Sequence, residues 1–211
     1  MIPQKFQVQG SSVASYDWKD LTSGLGYRTF YASKTQSGSH VLITRAMDSS
    51  SADFYADDGA IAEQAEANLE MDLDFDIAIN VPCILRGTAY VNLSHKVVNA
   101  AGAMMHRYFV VTVYHYDGST ETSLGSETTK DCIATIDSRR ELITISLTSK
   151  KFAIGHILRL NVQLWASETV EANNTIFLYF DPNSLNTLTD PFERTIGTDL
   201  IFDCPFRIDI T

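Results

Sequence analysis

Residues 69–81 read Leu69-Glu70-Met71-Asp72-Leu73-Asp74-Phe75-Asp76-Ile77-Ala78-Ile79-Asn80-Val81. Every odd position is apolar, and the even positions hold four carboxylates, an alanine and an asparagine. A period of two over this length puts the apolar side chains on one face of an extended strand and the carboxylates on the other. The opposite register would bury the carboxylates without evident partners. The stretch therefore predicts a long, half-buried strand, and the fold question becomes what covers its apolar face.

Working outward, Pro82 interrupts the pattern, and a second run alternates Leu85, Gly87, Ala89, Val91 and Leu93 against Arg86, Thr88, Tyr90 and Asn92. Residues 108–116 are rich in β-branched and aromatic side chains and stop at Asp117-Gly118, a hairpin signal that returns the chain through 121–126. Further apolar runs at 132–136, 142–148, 157–165, 175–180 and 200–210 are separated by Asp137-Ser138, Lys150-Lys151, Gly155, Asn173-Asn174 and Asp181-Pro182. Roughly eight to ten short strands punctuated in this way predict an all-β protein, an antiparallel β-sandwich of jelly-roll type. Helical signal is confined to residues 60–67, about two turns, which read as a short helix or as the lead-in to the acidic strand.

The first 60 residues differ. Phe6-Gln7-Val8-Gln9, Arg28-Thr29-Phe30-Tyr31-Ala32 and Val41-Leu42-Ile43-Thr44 look like strands, but Gly10-Ser11-Ser12, Ser23-Gly24-Leu25-Gly26 and residues 48–52 are loop chemistry. One structural domain is expected, with 61–211 as the sandwich core and 1–60 as an extended N-terminal arm or outlying strands packed on it. No internal repeat of fixed period is visible.

At 211 residues and 45% hydrophobic composition, the chain can fill a core without disulfides or metals. Acidic residues outnumber basic ones 26 to 16, a formal charge of −10, which opposes nucleic acid and anionic membranes and favours a basic or neutral partner. Met1-Ile2-Pro3-Gln4-Lys5 does not open a signal peptide, and no run approaches the ~20 apolar residues of a membrane span, so a soluble chain made in the cytoplasm is expected. Cys83, Cys132 and Cys204 fit neither a zinc site nor a disulfide framework and read as small hydrophobes, with one disulfide left open.

Candidate chemistry is sparse. Asp72, Asp74 and Asp76 share a strand face at about 7 Å spacing, which suits a solvated or salt-bridged surface and would hold a cation only if other oxygen ligands converged there. His40, His95, His106, His115 and His156 show no HExxH or paired spacing. There is no Gly-x-Ser-x-Gly elbow, Walker A loop or dinucleotide fingerprint. Trp18, Trp165, Tyr114, Tyr116 and Tyr179 are candidates for a sugar-binding platform, against the plainer reading of core and cross-strand packing. No catalytic, cofactor-binding or metal residue is assigned, no cofactor is expected, and the chain reads as a protein other than an enzyme.

The order of segments resembles jelly-roll proteins of tailed bacteriophages that decorate or cement capsids. The residues that carry the resemblance begin with Ser15-Tyr16-Asp17 and Gly24-Leu25-Gly26-Tyr27-Arg28-Thr29-Phe30-Tyr31, followed by the long strand and Gly87-Thr88-Ala89. After them come Val113-Tyr114-His115-Tyr116, Phe152-Ala153-Ile154-Gly155-His156-Ile157-Leu158-Arg159-Leu160, Asp181-Pro182 and Pro205-Phe206-Arg207-Ile208. The match spans nearly the whole chain as a pattern of strands and turns. It implies a virion component on the capsid surface that binds the major capsid protein and copies of itself, as in a homotrimer, and stabilises the head without engaging nucleic acid or membrane. The alternative is a tail, neck or fibre component with a glycan- or receptor-binding sandwich.

Overall fold

A computed structural model describes residues 25–35, 37–44, 55–57, 64–98, 105–134, 137–168, 174–182, 187–189 and 193–207. The expected strand at residues 6–9, Trp18 and the first half of the 60–67 window lie outside the described residues. Those described are organised by strands: β1 (Leu25–Lys34), β2 (His40–Ile43), β3 (Tyr55–Asp57), β4 (Gln64–Ala78), β5 (Cys83–Val98), β6 (Met105–Tyr116) and β7 (Glu121–Thr128). The chain continues with β8 (Cys132–Ala134), β9 (Asp137–Phe152), β10 (Ile157–Glu168), β11 (Thr175–Tyr179), β12 (Thr187–Thr189), β13 (Thr195–Gly197) and β14 (Ile201–Arg207). No helix occurs among the described residues, and 64–67 is the beginning of β4.

Eight of these strands define the architecture. One sheet runs β1-β14-β5-β9 and the other β4-β10-β6-β7, every neighbouring pair antiparallel. Numbered in chain order, that is 1-8-3-6 facing 2-7-4-5, the double Greek key of a jelly roll. On one side β2 joins the sheets, pairing with β1 and touching β4 through Val41 and Asp76. β1 is thus part of the sandwich: it lies between β14 and β2, and its Phe30 and Ala32 are fully buried.

The alternation read from the sequence has its cause in the space between the sheets. Leu158, Leu160, Val162, Leu164 and Ala166 of β10 point inward and are fully buried, while Arg159, Gln163 and Trp165 point out. Each of the large aliphatic side chains contributes about 1.5–3 kcal/mol on leaving water. Opposite them lie Ala89, Val91 and Leu93 of β5 and Ile143 and Ile145 of β9. Phe30 packs on Phe202 with ring centroids 5.9 Å apart, and Phe75 meets Phe180 at 5.3 Å.

The long acidic strand has the predicted register as far as Ala78, but 79–82 is a turn and not its continuation, so Val81, expected on the buried face, is 71% exposed. Met71, Phe75 and Ile79 are buried and Leu73 and Ile77 pack partly against the core. Leu69 is 44% exposed because the pairing with β10 slips between Leu164 and Trp165: Met71 faces Leu164 but Leu69 faces Trp165, so Glu70 is an extra residue. A one-residue bulge turns everything beyond it to the other face. A second irregularity accommodates Pro205, which has no N–H for the ladder: the register of β14 on β5 shifts between Asp203 and Phe206 beside Gly87, whose φ of 124° only glycine adopts readily.

Candidate functional site

Three surfaces carry polar or exposed chemistry. The first is the outer face of β4-β10-β6. Register sets Arg159 between Asp76 and Tyr114, Asn161 between Asp74 and Thr112, and Gln163 between Asp72 and Val110. Arg159 Nε donates to Asp76 Oδ1 at 2.7 Å and Nη2 to Asp76 Oδ2 at 2.8 Å, a bidentate pair, while Nη1 lies 2.9 Å from Asp74 and 2.8 Å from Glu121. These carboxylates hold the guanidinium firmly in its charged form. Asn161 Nδ2 donates to Asp72 at 2.5 Å and Asp74 at 2.7 Å. The acidic ladder is therefore a cross-strand network in which Asp74 and Asp76 are salt-bridged to Arg159 and Asp72 accepts from the amides of Asn161 and Gln163. Among the described residues no cluster of three or more His, Cys, Asp or Glu side chains is placed to hold a metal ion.

Aromatic side chains continue this face. Trp165 and Tyr108 are cross-strand neighbours with ring planes 2° apart and centroids at 6.3 Å, and Trp165 Nε1 donates to Gln163 Oε1 at 3.3 Å. Tyr114 and Tyr116 share the parity of Tyr108 on β6. Tyr179 lies apart from them on β11, 6.0 Å from Tyr55. The expected aromatic set is thus split between two places, and Tyr108, which it omitted, belongs to the larger group by its position in the 108–116 alternation.

The second surface is the end of the sandwich formed by the turns at 79–82, 117–120 and 153–156. Ile79 N donates to His156 O at 2.8 Å and Gly155 N to Ile79 O at 2.9 Å, so the 79–82 and 153–156 turns lie side by side. Their tips present Val81, 71% exposed, and Ile154, 67% exposed. Asp117 closes the hairpin by accepting from the N–H groups of Ser119 and Thr120, which hold its carboxyl down to about 2.

Behind these tips the fold brings together two histidines that the sequence reading left scattered. His115 Nε2 and His156 Nδ1 are 2.7 Å apart, and His115 is buried edge-on against Phe152 at 4.6 Å. Burial depresses the His115 pKa, Lys150 and His156 lower it further, and Asp117 opposes them in part. An unfolded histidine takes up its proton near pH 6.5, whereas the folded His115 does so only at lower pH. Its contribution to stability is therefore complete above about pH 6.5 and is lost as the pH falls from there through the depressed folded value. His40, lowered chiefly by burial, acts with the same sign. Melting temperature is expected to fall between about pH 7 and pH 5, and His115→Leu to reduce that slope. An unchanged slope in His115→Leu would remove this histidine as its source.

The third surface is a groove of about 930 Å³ along the edge where β7 and β9 approach each other. One wall is residues 127–131, the other 138–144, and Arg194 and Ile196 complete it. Four cations and three carboxylates line it. Arg140 is tied to Asp199 through two contacts of 3.0 Å, Asp131 to His106 at 2.9 Å and Glu141 to the buried His95 at 3.0 Å. Leu142, 64% exposed, is the large apolar side chain on its β9 wall.

Cys83 and Cys204 take no part in these surfaces. Both are free, the first half-buried with its pKa pushed up to about 11 by burial, the second fully buried and likewise pushed up by burial. The side chain of Cys132 lies outside the described residues.

Fold and surfaces together define a jelly-roll β-sandwich. No family model matches the chain, and no curated protein matches it in sequence. Among solved structures it is similar to an α-amino acid ester hydrolase, with a TM-score of 0.53 and 11% identity over 85% of this chain and 36% of that one. It is also similar to a CocE/NonD family hydrolase from Staphylococcus aureus, with a TM-score of 0.51 and 10% identity over 87% of this chain and 37% of that one. The chain spans little more than a third of these hydrolases, and at such identity the likeness establishes the fold. A structure of infectious bursal disease virus aligns at a TM-score of 0.32 and 9% identity over 80% of this chain and 40% of that one, too distant to carry an argument.

These similarities correct one expectation. The sequence reading set the chain apart from enzymes because linear nucleophile, metal and nucleotide motifs are missing, yet the two solved chains just named, which share its fold, are hydrolases. Motif absence excludes only chemistry with a linear signature. Sites assembled from several strands have none, and a sandwich hosts many functions.

Proposed function

We propose that the protein is a virion structural component, a capsid decoration or cement protein that binds the major capsid protein and copies of itself and stabilises the head. The observation that carries this reading is the pair of neighbouring apolar tips, Val81 at 71% and Ile154 at 67% exposure, on a rigidly hydrogen-bonded end of the sandwich. Single exposed apolar residues are ordinary, but one on each of two hydrogen-bonded turns suits a surface that a neighbour covers. Repeated weak contacts of this kind add through multivalency on a particle, and the formal charge of −10 suits basic patches on a shell.

Val81→Asp with Ile154→Asp is expected to leave the stability of the isolated protein within about 0.5 kcal/mol. Its occupancy on purified particles should drop by roughly tenfold, the loss of one hydrophobic contact of about 1.4 kcal/mol. Particles lacking the protein should assemble but release their genome at lower temperature. Finding it only at the tail tip, or in a handful of copies, would overturn the proposal in favour of glycan binding. That second reading draws on the Tyr108–Trp165 pair, which shares its face with a row of immobilised carboxylates. Aromatic faces flanked by fixed polar groups suit sugar rings.

A further inference from the structure

The groove between β7 and β9 is lined by consecutive residues on both walls, 127–131 and 138–144. Side chains alternate along a strand, so an unbroken run of lining residues means that the backbone edge itself faces the groove. Among the described residues β9 pairs with β5 alone and β7 with β6 alone, which leaves both edges open toward each other. At one point the two strands touch: a Cβ on Gly125 would stand 2.4 Å from Ser146 O. Beyond it they part and the groove opens.

Open edges are normally blunted by charge, and Arg139 and Arg140 fit that role. Leu142 does not, since it puts a large exposed apolar side chain in the middle of the free edge. An edge of this kind is built to receive an extended strand.

We propose that the groove receives residues 5–9 of a second copy of this chain, Lys5-Phe6-Gln7-Val8-Gln9, added as a strand to the free edge of β9. Phe6 and Val8 alternate with Gln7 and Gln9, the period that places the apolar side chains on the solvent-facing side beside Leu142 and the amides on the opposite side, toward the polar lining of the groove. The reach also fits. Leu25 pairs with Arg207, Arg207 with Ile84 and Ile84 with Lys151, so β1 begins level with residue 151, three strands away from the groove and beyond its far end along β9. The 24 residues before it can extend up to about 80 Å, enough to leave the domain and lie along a neighbour. Because the segment and its groove are different surfaces, the contact is head-to-tail and propagates into rings or larger arrays. The inference takes from the particle reading only self-association, and purified protein tests it without particles, so its failure would leave attachment to a shell standing.

The test is sedimentation of the full-length protein across a concentration series, beside a segment variant, Phe6→Asp with Val8→Asp, and a groove variant, Leu142→Lys. The parent is expected to associate reversibly, and each variant alone to lose at least roughly tenfold in association constant, equivalent to about 1.4 kcal/mol. Mixed, the two variants should form dimers, since the pair retains one intact segment and one intact groove. Gln7→Pro, which deletes a ladder N–H without touching the apolar positions, should behave as the segment variant and guards against misfolding as the cause. A parent that stays monomeric overturns the proposal, as does a segment variant that associates normally or a mixture that does not associate. A segment variant that melts earlier with association unchanged would mean that these residues pack on their own domain, and would overturn it too.

Discussion

Phe75→Asp is expected to leave no soluble folded protein. Phe75 is fully buried in β4, where its ring meets Phe180 at 5.3 Å and His40 at 5.3 Å. Removing a buried phenylalanine costs about 3–5 kcal/mol through lost burial and the cavity left behind. The carboxylate adds the cost of an unpaired buried charge, several kcal/mol more even if it takes up a proton. Together these reach the whole stability of an ordinary domain, about 5–15 kcal/mol. The measurement is the soluble fraction on expression, with far-UV circular dichroism of anything recovered. A soluble variant melting with the parent would mean that the apolar face of β4 does not face the core.

Gly125→Ala should destabilise by about 1–3 kcal/mol, and Gly125→Val by more. The reason is space rather than backbone conformation, because Gly125 is not among the glycines with positive φ. Its added Cβ would meet the backbone oxygen of Ser146 at 2.4 Å and the Ile145 side chain at 3.0 Å, and a strand backbone cannot swing aside as a flexible side chain would. The sheets would have to separate where β7 and β9 meet. In a domain of this size that is a fall in melting temperature of roughly 3–10 °C. Ser123→Ala, an exposed site on the same strand, is the control and should stay within about 0.5 kcal/mol. If Gly125→Ala melted like the parent, the two edges would not be in contact.

How much was legible beforehand varies with the range of the interaction. The strand through 71–78 and its buried face follow from alternation alone, as does the hairpin at Asp117-Gly118, whereas alternation runs on past the strand's end to Val81, which lies in a turn. Other features needed a partner strand. The exposure of Leu69 comes from a slip against Trp165, and Lys150-Lys151, expected as a break, lies inside β9 because Phe152 beyond it is buried in the core. A solvated or salt-bridged face for Asp72, Asp74 and Asp76 was the reading the sequence allowed, and Asp74 and Asp76 are salt-bridged. That Arg159 is the cation could be known only once β10 was laid beside β4 in register. The His115–His156 pair, 41 residues apart in sequence, left no linear trace.

The chain by itself determined its class: short alternating runs with turn chemistry between them can bury their apolar faces only by stacking sheets. Alternation is a local property, set by the two-residue period of the extended backbone, so one strand's sequence suffices to reveal it. Which strands become neighbours was decided in three dimensions, by closing two Greek keys around one core. That closure placed the acidic ladder against Arg159, set the 79–82 turn beside the 153–156 turn, and, among the described residues, left the β9 edge open beside β7. Each of these juxtapositions joins residues far apart in sequence, and a pattern confined to one segment holds no information about its partner.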